Sequence, residues 1–191
     1  VVLERRITVG RGPIGDIAAG DAGVVVANFG SDSVSILDPA GRALGADVSV
    51  EGEPTAVIAT RDRAFVATAS ASHDAVSVID LETRSVVATF PVAFGVTALA
   101  VSPDGKRVYV GTGTSGVTAL DAALIQAIPA ESITGFAVGD GTELNPQALA
   151  LSPDGTRLFV ADGLPGGVVR IVTLASRSFV SSPGFGVGLV P

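Results

Sequence analysis

His73 is the only histidine in this 191-residue chain, so any imidazole chemistry must occur there, beside Asp74 and close to Ser70 and Ser72. A hydrolytic triad would require one of those serines to be held by the histidine on a strained turn. The Gly-free, Ser/Ala-rich stretch around them reads instead as an ordinary loop, and His73 as a solvated loop residue. The carboxylates Asp32, Glu51, Glu53 and Asp74 form a second candidate group, since oxygen-rich clusters hold calcium and other hard cations. Charge that keeps a surface soluble explains the same residues, and on that reading neither a metal nor a cofactor is expected. The glycines of Gly10-Arg11-Gly12-Pro13-Ile14-Gly15 match a dinucleotide fingerprint in spacing only. The pyrophosphate in such a site meets a helix N-terminus, whereas the run from Ile14 to Asn28 reads as strand, turn, strand.

Cysteine is absent, which excludes disulfides, thiolate metal sites and a cysteine nucleophile. With 19 acidic against 12 basic side chains the net charge is -7, which excludes a nucleic-acid partner, because binding a phosphate backbone draws on Lys and Arg. No uninterrupted apolar run reaches the roughly 20 residues that span a bilayer, so no membrane insertion is expected. There is no initiator Met and no signal-peptide pattern at Val1, and the expectation is a processed product or part of a longer chain.

The elements that must position these residues are short strands. Twenty-four glycines, 11 prolines, 16% charged residues and runs of Val, Ala and Thr favour strands and turns over helices. The clearest unit is 96–121, in which an alternating run meets the turn Ser102-Pro103-Asp104-Gly105 and leads into two further runs. Aligned on Ile14, Thr55, Thr97 and Gln147, four such units succeed one another at spacings of 41, 42 and 50 residues, the period of propeller blades. Val26, Val66, Val110 and Val160 then share one second-strand column, and Val34, Val76, Val117 and Val169 one third-strand column. Asp38, Asp80 and Asp121 close three of the third strands as turn caps, where the fourth unit has Thr173.

Fourth strands are predicted at 42–50, 84–92, after Ala127 and at 177–182, and a short helix at 122–128. Residues 1–9 read as the outer strand of a preceding blade. The fold predicted is all-β: a β-propeller of about four four-stranded antiparallel blades at 13–52, 53–95, 96–145 and 146–191, with 1–12 as that outer strand. One first-strand column is small throughout, Gly15, Ala56, Ala98 and Ala148, as radially arranged strands require where they converge. Four blades is near the lower limit for a closed ring, so the remainder of a propeller, or a second copy forming a homodimer, is expected to complete it. A tight four-bladed closure is the remaining option.

Alternation places the blade-to-blade links and the second-to-third loops at one end. That end would present Arg11, Glu51, Glu53, Phe94 and Asn145 from the links, and Asn28, Asp32, His73, Asp74, Thr112 and Asp162 from the loops. Between the aligned valines these loops span 8, 10, 7 and 9 residues, the variation of a binding face on a rigid scaffold and equally of unconstrained loops.

The segment RITVGRGPIGDIAAGDAGVVVANFGSDSVSILD and the later VSPDGKRVYVGTGTSGVTALD resemble the YVTN-type β-propeller repeats of bacterial extracytoplasmic proteins. The resemblance covers nearly the whole chain, although the first two units lack the Ser-Pro-Asp-Gly turn and no unit spells the name-giving tetrapeptide. It implies a secreted, periplasmic or cell-envelope location. The function expected is a non-catalytic scaffold that binds a protein or small-molecule ligand through Arg11, Asn28, Asp32, Glu51, Glu53, His73, Asp74 and Asp162. Lactonase-type propellers, similar in architecture, supply the alternative: a small-molecule hydrolase, possible only if several of these side chains converge.

Overall fold

The computed structural model describes residues 6–13, 15–92, 95–113, 116–122, 136–138, 145–163, 167–174 and 185–186. They build four antiparallel four-stranded sheets, each a meander in chain order. Blade 1 holds β1 (Ile17–Gly20), β2 (Gly23–Asn28), β3 (Ser33–Leu37) and β4 (Val48–Ser49). Blade 2 holds β5 (Glu53–Ala59), β6 (Arg63–Ala69), β7 (Asp74–Asp80) and β8 (Ser85–Val92). Blade 3 consists of β9 (Val96–Val101), β10 (Arg107–Thr112), β11 (Gly116–Asp121) and β12 (Phe136–Val138). Blade 4 consists of β13 (Pro146–Leu151), β14 (Arg157–Asp162), β15 (Val168–Thr173) and β16 (Phe185–Gly186). The chain forms two compact units, Val1–Val92 with blades 1 and 2, and Ala93–Pro191 with blades 3 and 4.

Strand alternation sorts each second strand into two apolar faces. In the first unit Val25, Ala27, Val34, Ile36 and Val48 of blade 1 pack against Val57, Ala64, Val66 and Ile79 of blade 2. The second unit repeats the pattern, with Tyr109, Val117 and Ala119 of blade 3 against Leu158, Val160 and Val172 of blade 4. Within each unit, Val66 and Val160 of the aligned column thus face the preceding blade, and Val25 and Tyr109 of the flanking column face the following one.

The small first-strand column marks where neighbouring blades come closest. A Cβ on Gly15 would lie 2.8 Å from the Pro54 carbonyl oxygen of the next blade and 3.0 Å from the Ala27 Cβ. Gly111, paired with Ala98, has room for a Cβ only 3.1 Å from Pro146. Strand registers shift at the same place in three blades, skipping Thr55, Thr97 and Gln147. Each shift is a β-bulge, which turns one extra side chain out of the ladder. Thr97 uses its hydroxyl to donate to Gly111 O at 3.2 Å and to Pro146 O, tying blade 3 to blade 4.

Several boundaries differ from the sequence-based expectation. Residues 6–9 form no strand, and the main chain beyond them is spent on loop contacts, with Gly10 N donating to Ser35 Oγ and Arg11 N to Ser31 Oγ; residues 1–5 lie outside the described residues. The first strand of blade 1 starts at Ile17 rather than Ile14, and its fourth strand shrinks to Val48–Ser49 plus a bridge from Leu37 to Ala43. Positive φ at Gly41 and Gly45 breaks the run between them. Blade 3 gains its fourth strand at Phe136–Val138. The helix expected at 122–128 falls outside the described residues after Ala122, and so does the strand expected at 177–182.

The Ser-Pro-Asp-Gly turns form twice with the same bonds. The Ser102 hydroxyl donates to Asp104 Oδ1, which also accepts Lys106 N, while Arg107 N donates back to Ser102 Oγ. Ser152, Asp154, Thr156 and Arg157 repeat this arrangement. Asp38 and Asp80 cap third-strand turns through the backbone N–H groups of Arg42 and Thr83.

The packing and the turns can each be tested. Gly15→Val should cost about 1–3 kcal/mol in urea unfolding, the usual penalty for overfilling a packed site. For pH, the Ser152 hydroxyl holds the Asp154 carboxyl down to about 2 from 3.8, and the Ser102 hydroxyl lowers that of Asp104. The backbone N–H of Arg42 lowers Asp38 and that of Thr83 lowers Asp80. A carboxyl depressed in the folded state stabilises fully above its unfolded value and loses that contribution as pH falls through the folded one. The thermal midpoint should therefore fall between about pH 4 and about pH 2, and Asp154→Asn should flatten part of that fall.

Candidate functional site

The loop-rich end is organised by a polar column that closes the four second strands. Asn28, Thr68, Thr112 and Asp162 stand two residues beyond the aligned valines and are 0%, 1%, 1% and 4% exposed. A polar atom buried to this degree must be bonded or it costs stability, and each side chain is spent on its own loop. Asn28 Nδ2 donates to Ser35 Oγ at 2.9 Å and to Ser33 Oγ at 3.4 Å, and Ser35 in turn donates to Asp47. The Asn28 Oδ1 accepts no hydrogen bond from a described residue. The Thr68 and Thr112 hydroxyls donate to the carbonyls of Ala75 and Gly116 across the second-to-third turn. Asp162 accepts Arg170 Nε at 2.8 Å and Asn145 N at 3.2 Å, so its charge is met by a guanidinium from the neighbouring β15.

Links and loops are also joined through the main chain. Gly30 N donates to Arg11 O, Gly113 N to Gly95 O and Gly163 N to Asn145 O, each at 2.8–3.0 Å. Asp32 comes after the short 3-10 turn Phe29–Ser31 in the left-handed region at φ 46°, a conformation that an aspartate tolerates, and its carbonyl accepts Val50 N.

Of the eight side chains singled out from the sequence, three are buried parts of this framework: Asn28, Asp74 and Asp162. Asp74 is 5% exposed and opens β7 opposite Val92. Arg11, Asp32, Glu51 and Glu53 are exposed or partly so, and His73 is half-exposed. Only Glu51 and His73 are brought together as an ion-pair geometry, with His73 Nε2 3.7 Å from Glu51 Oε1 and side chains 38% and 62% exposed. Ser72 Oγ lies 3.0 Å from His73 Nδ1, and Ser70 bonds the His73 main chain. A pair this open in water contributes at most about 1 kcal/mol and has no desolvation to sharpen its chemistry. Among the described residues no three His, Asp or Glu side chains gather closely enough to hold a metal ion. Phe94 lies outside the described residues.

The sequence reading missed the column as a column and gave Arg170 no role. The signal was present: the same alignment that stacks Val26, Val66, Val110 and Val160 stacks Asn28, Thr68, Thr112 and Asp162 two places on.

No family model matches the chain. The seven-bladed beta-propeller protein Rv1057 of Mycobacterium tuberculosis is 38% identical over 141 residues, which cover 68% of this chain and 36% of that protein. The chain thus spans about a third of the length of this curated relative. Among solved structures, Kuenenia stuttgartiensis hydrazine synthase superposes with a TM-score of 0.73 at 19% identity, covering 97% of this chain and 53% of the other. A functionally unknown protein from Desulfotomaculum acetoxidans gives 0.75 at 17% identity, with 95% and 58% covered. A Bacteroides uniformis protein provisionally named a 6-phosphogluconolactonase gives 0.71 at 17% identity, with 94% and 58% covered. At these identities the likeness carries the fold alone.

Two substitutions separate framework from surface. Asp162→Ala removes the acceptor of Arg170 Nε and of Asn145 N and should cost about 1.5–3 kcal/mol in chemical denaturation, the range for a hydrogen bond to a charged group. His73→Ala should change stability by less than about 0.5 kcal/mol in the same assay, as surface substitutions usually do.

Proposed function

We propose that this β-propeller chain is a non-catalytic binding module that presents its loop-rich end to a protein or small-molecule ligand. The observation that carries this reading is the fate of the polar side chains at that end. Asn28, Thr68, Thr112 and Asp162 are buried and spent on holding loops in place. Rigid loops on a rigid scaffold are what a recognition surface requires, because less ordering entropy is lost on binding. Arg11, Asp32, Glu51, Glu53 and His73 are then the contact residues.

A hydrolase of lactonase type would need a base, an orienting group and a stabilising donor converging in a water-poor pocket. In the first unit, Glu51 and His73 meet in the open instead. The YVTN-type motifs support assignment to that repeat family and, through it, an extracytoplasmic location. Kinship with a protein named as seven-bladed supports a ring larger than four blades, completed by further polypeptide or by a second copy.

Two assays test the reading. Hydrolysis of a panel of lactones and aryl esters, with and without calcium, should not exceed the buffer rate. Turnover that His73→Ala abolishes would replace the binding module with an enzyme. Partners captured by the wild-type protein should be lost from an Arg11→Ala, Glu51→Ala, His73→Ala triple variant of unchanged thermal midpoint; equal capture by both would remove the loop-rich end as the interface.

A further inference from the structure

Strand alternation gives every blade two apolar faces, and packing within a unit covers only one of the two on each blade. In the first unit, Val57, Ala64, Val66 and Ile79 of blade 2 lie against blade 1. In the second, Tyr109, Val117 and Ala119 of blade 3 lie against blade 4. The ladder registers identify the counterparts of these residues on blades 1 and 4.

In blade 1, Ile17 stands opposite Val26 and Val24 opposite Leu37, just as Val57 stands opposite Val66 and Ala64 opposite Ile79 in blade 2. The counterparts differ in exposure. Val57 is 1% exposed and Ile17 is 63% exposed. Val24 is half-buried, and Val26 and Leu37 are shielded. In blade 4, Phe159 stands opposite Ile171 and Ala161 opposite Val169, as Tyr109 stands opposite Ala119 and Gly111 opposite Val117 in blade 3. Val117 is 0% exposed, whereas Val169 is 37% exposed, and Phe159, Ala161 and Ile171 are half-buried. Contiguous apolar side chains open to water mark an interaction surface.

The two open faces are of complementary kinds. The column of blade 4 is the kind that covers a following blade, and the column of blade 1 is the kind that a preceding blade covers, so each continues an interface already formed within the units. None of the eight side chains is charged, which keeps the net charge of -7 out of the two columns. We infer that this chain joins head to tail with a second copy of itself, the Phe159 and Val169 column of one copy packing on the Ile17 face of the other. The inference rests on the propeller reading and makes no use of the loop-rich end. Because the contact joins unlike faces, it is heterologous, and two copies close when both pairs of faces meet at once.

Ile17→Glu and Val169→Glu each put a charge on one face at an exposed position, so each variant should keep the wild-type thermal midpoint. Size exclusion with light scattering should give the wild-type chain the mass of two copies, falling to that of one on dilution. Each variant alone should have the mass of one copy at every concentration. Mixed in equal amounts, the two variants should recover the mass of two, because one unaltered pair of faces remains between them. Partner capture by the loop-rich end should be the same for Ile17→Glu as for wild type, which keeps the two readings separable. The proposal is overturned if the wild-type chain has the mass of one copy throughout the dilution series. It is equally overturned if either variant alone associates as wild type does, or if the mixture stays at the mass of one.

Discussion

Close approach of the first strands is the constraint on which the rest depends. Blade can succeed blade at this separation only where the side chain between them is absent or a methyl, as at Gly15 against Pro54 O and Gly111 against Pro146. Once the backbones are that close, the wider parts of each sheet are left to be filled by larger residues, and they are: Val25 and Ile36 against Val57 and Ile79, Tyr109 against Leu158. The bulges at Thr55, Thr97 and Gln147 belong to the same geometry. An extra residue lets a strand bend away from the crowded region, and in blade 3 the displaced threonine ties the neighbouring strand through Pro146 O.

The two ends of the blades solve different problems with polar groups. At the Ser-Pro-Asp-Gly end, carboxylates in water cap their own turns, and the turn hydrogen bonds lower their pKa values by favouring the charged form. At the loop-rich end, the polar column lies under the loops and must satisfy itself internally. Asn28, Thr68, Thr112 and Asp162 differ in chemistry but share one task, which is to bond across the second-to-third turn or to its neighbours. Function is therefore left to side chains outside the column.

Much of the fold was legible because packing repeats. The second-strand valine column, the small first-strand column and the Ser-Pro-Asp-Gly turns hold in three dimensions as consequences of alternation or of turn dihedrals, whereas in the third-strand column Val34, Val76 and Val117 are buried and Val169 is exposed. Boundaries were less legible where glycine conformation decides them: nothing in residues 42–50 read locally shows that Gly41 and Gly45 take positive φ and end the strand. The site was read only in part. A list of polar loop residues mixes framework with surface, and burial alone separates Asp162 from Asp32, since both are aspartates beside similar strands. Arg170 escaped notice because its value lies in a partner eight residues away on an adjacent strand.

Hydrogen exchange at single-residue resolution reaches the central claim, that the loop-rich end is a preformed rigid scaffold. Gly30, Gly113 and Gly163 lie just beyond second strands, yet donate to the links at Arg11, Gly95 and Asn145. Their amides should exchange as slowly as those of the second strands themselves. Exchange at the rate of an unstructured chain at these three glycines, with the strands still protected, would contradict it.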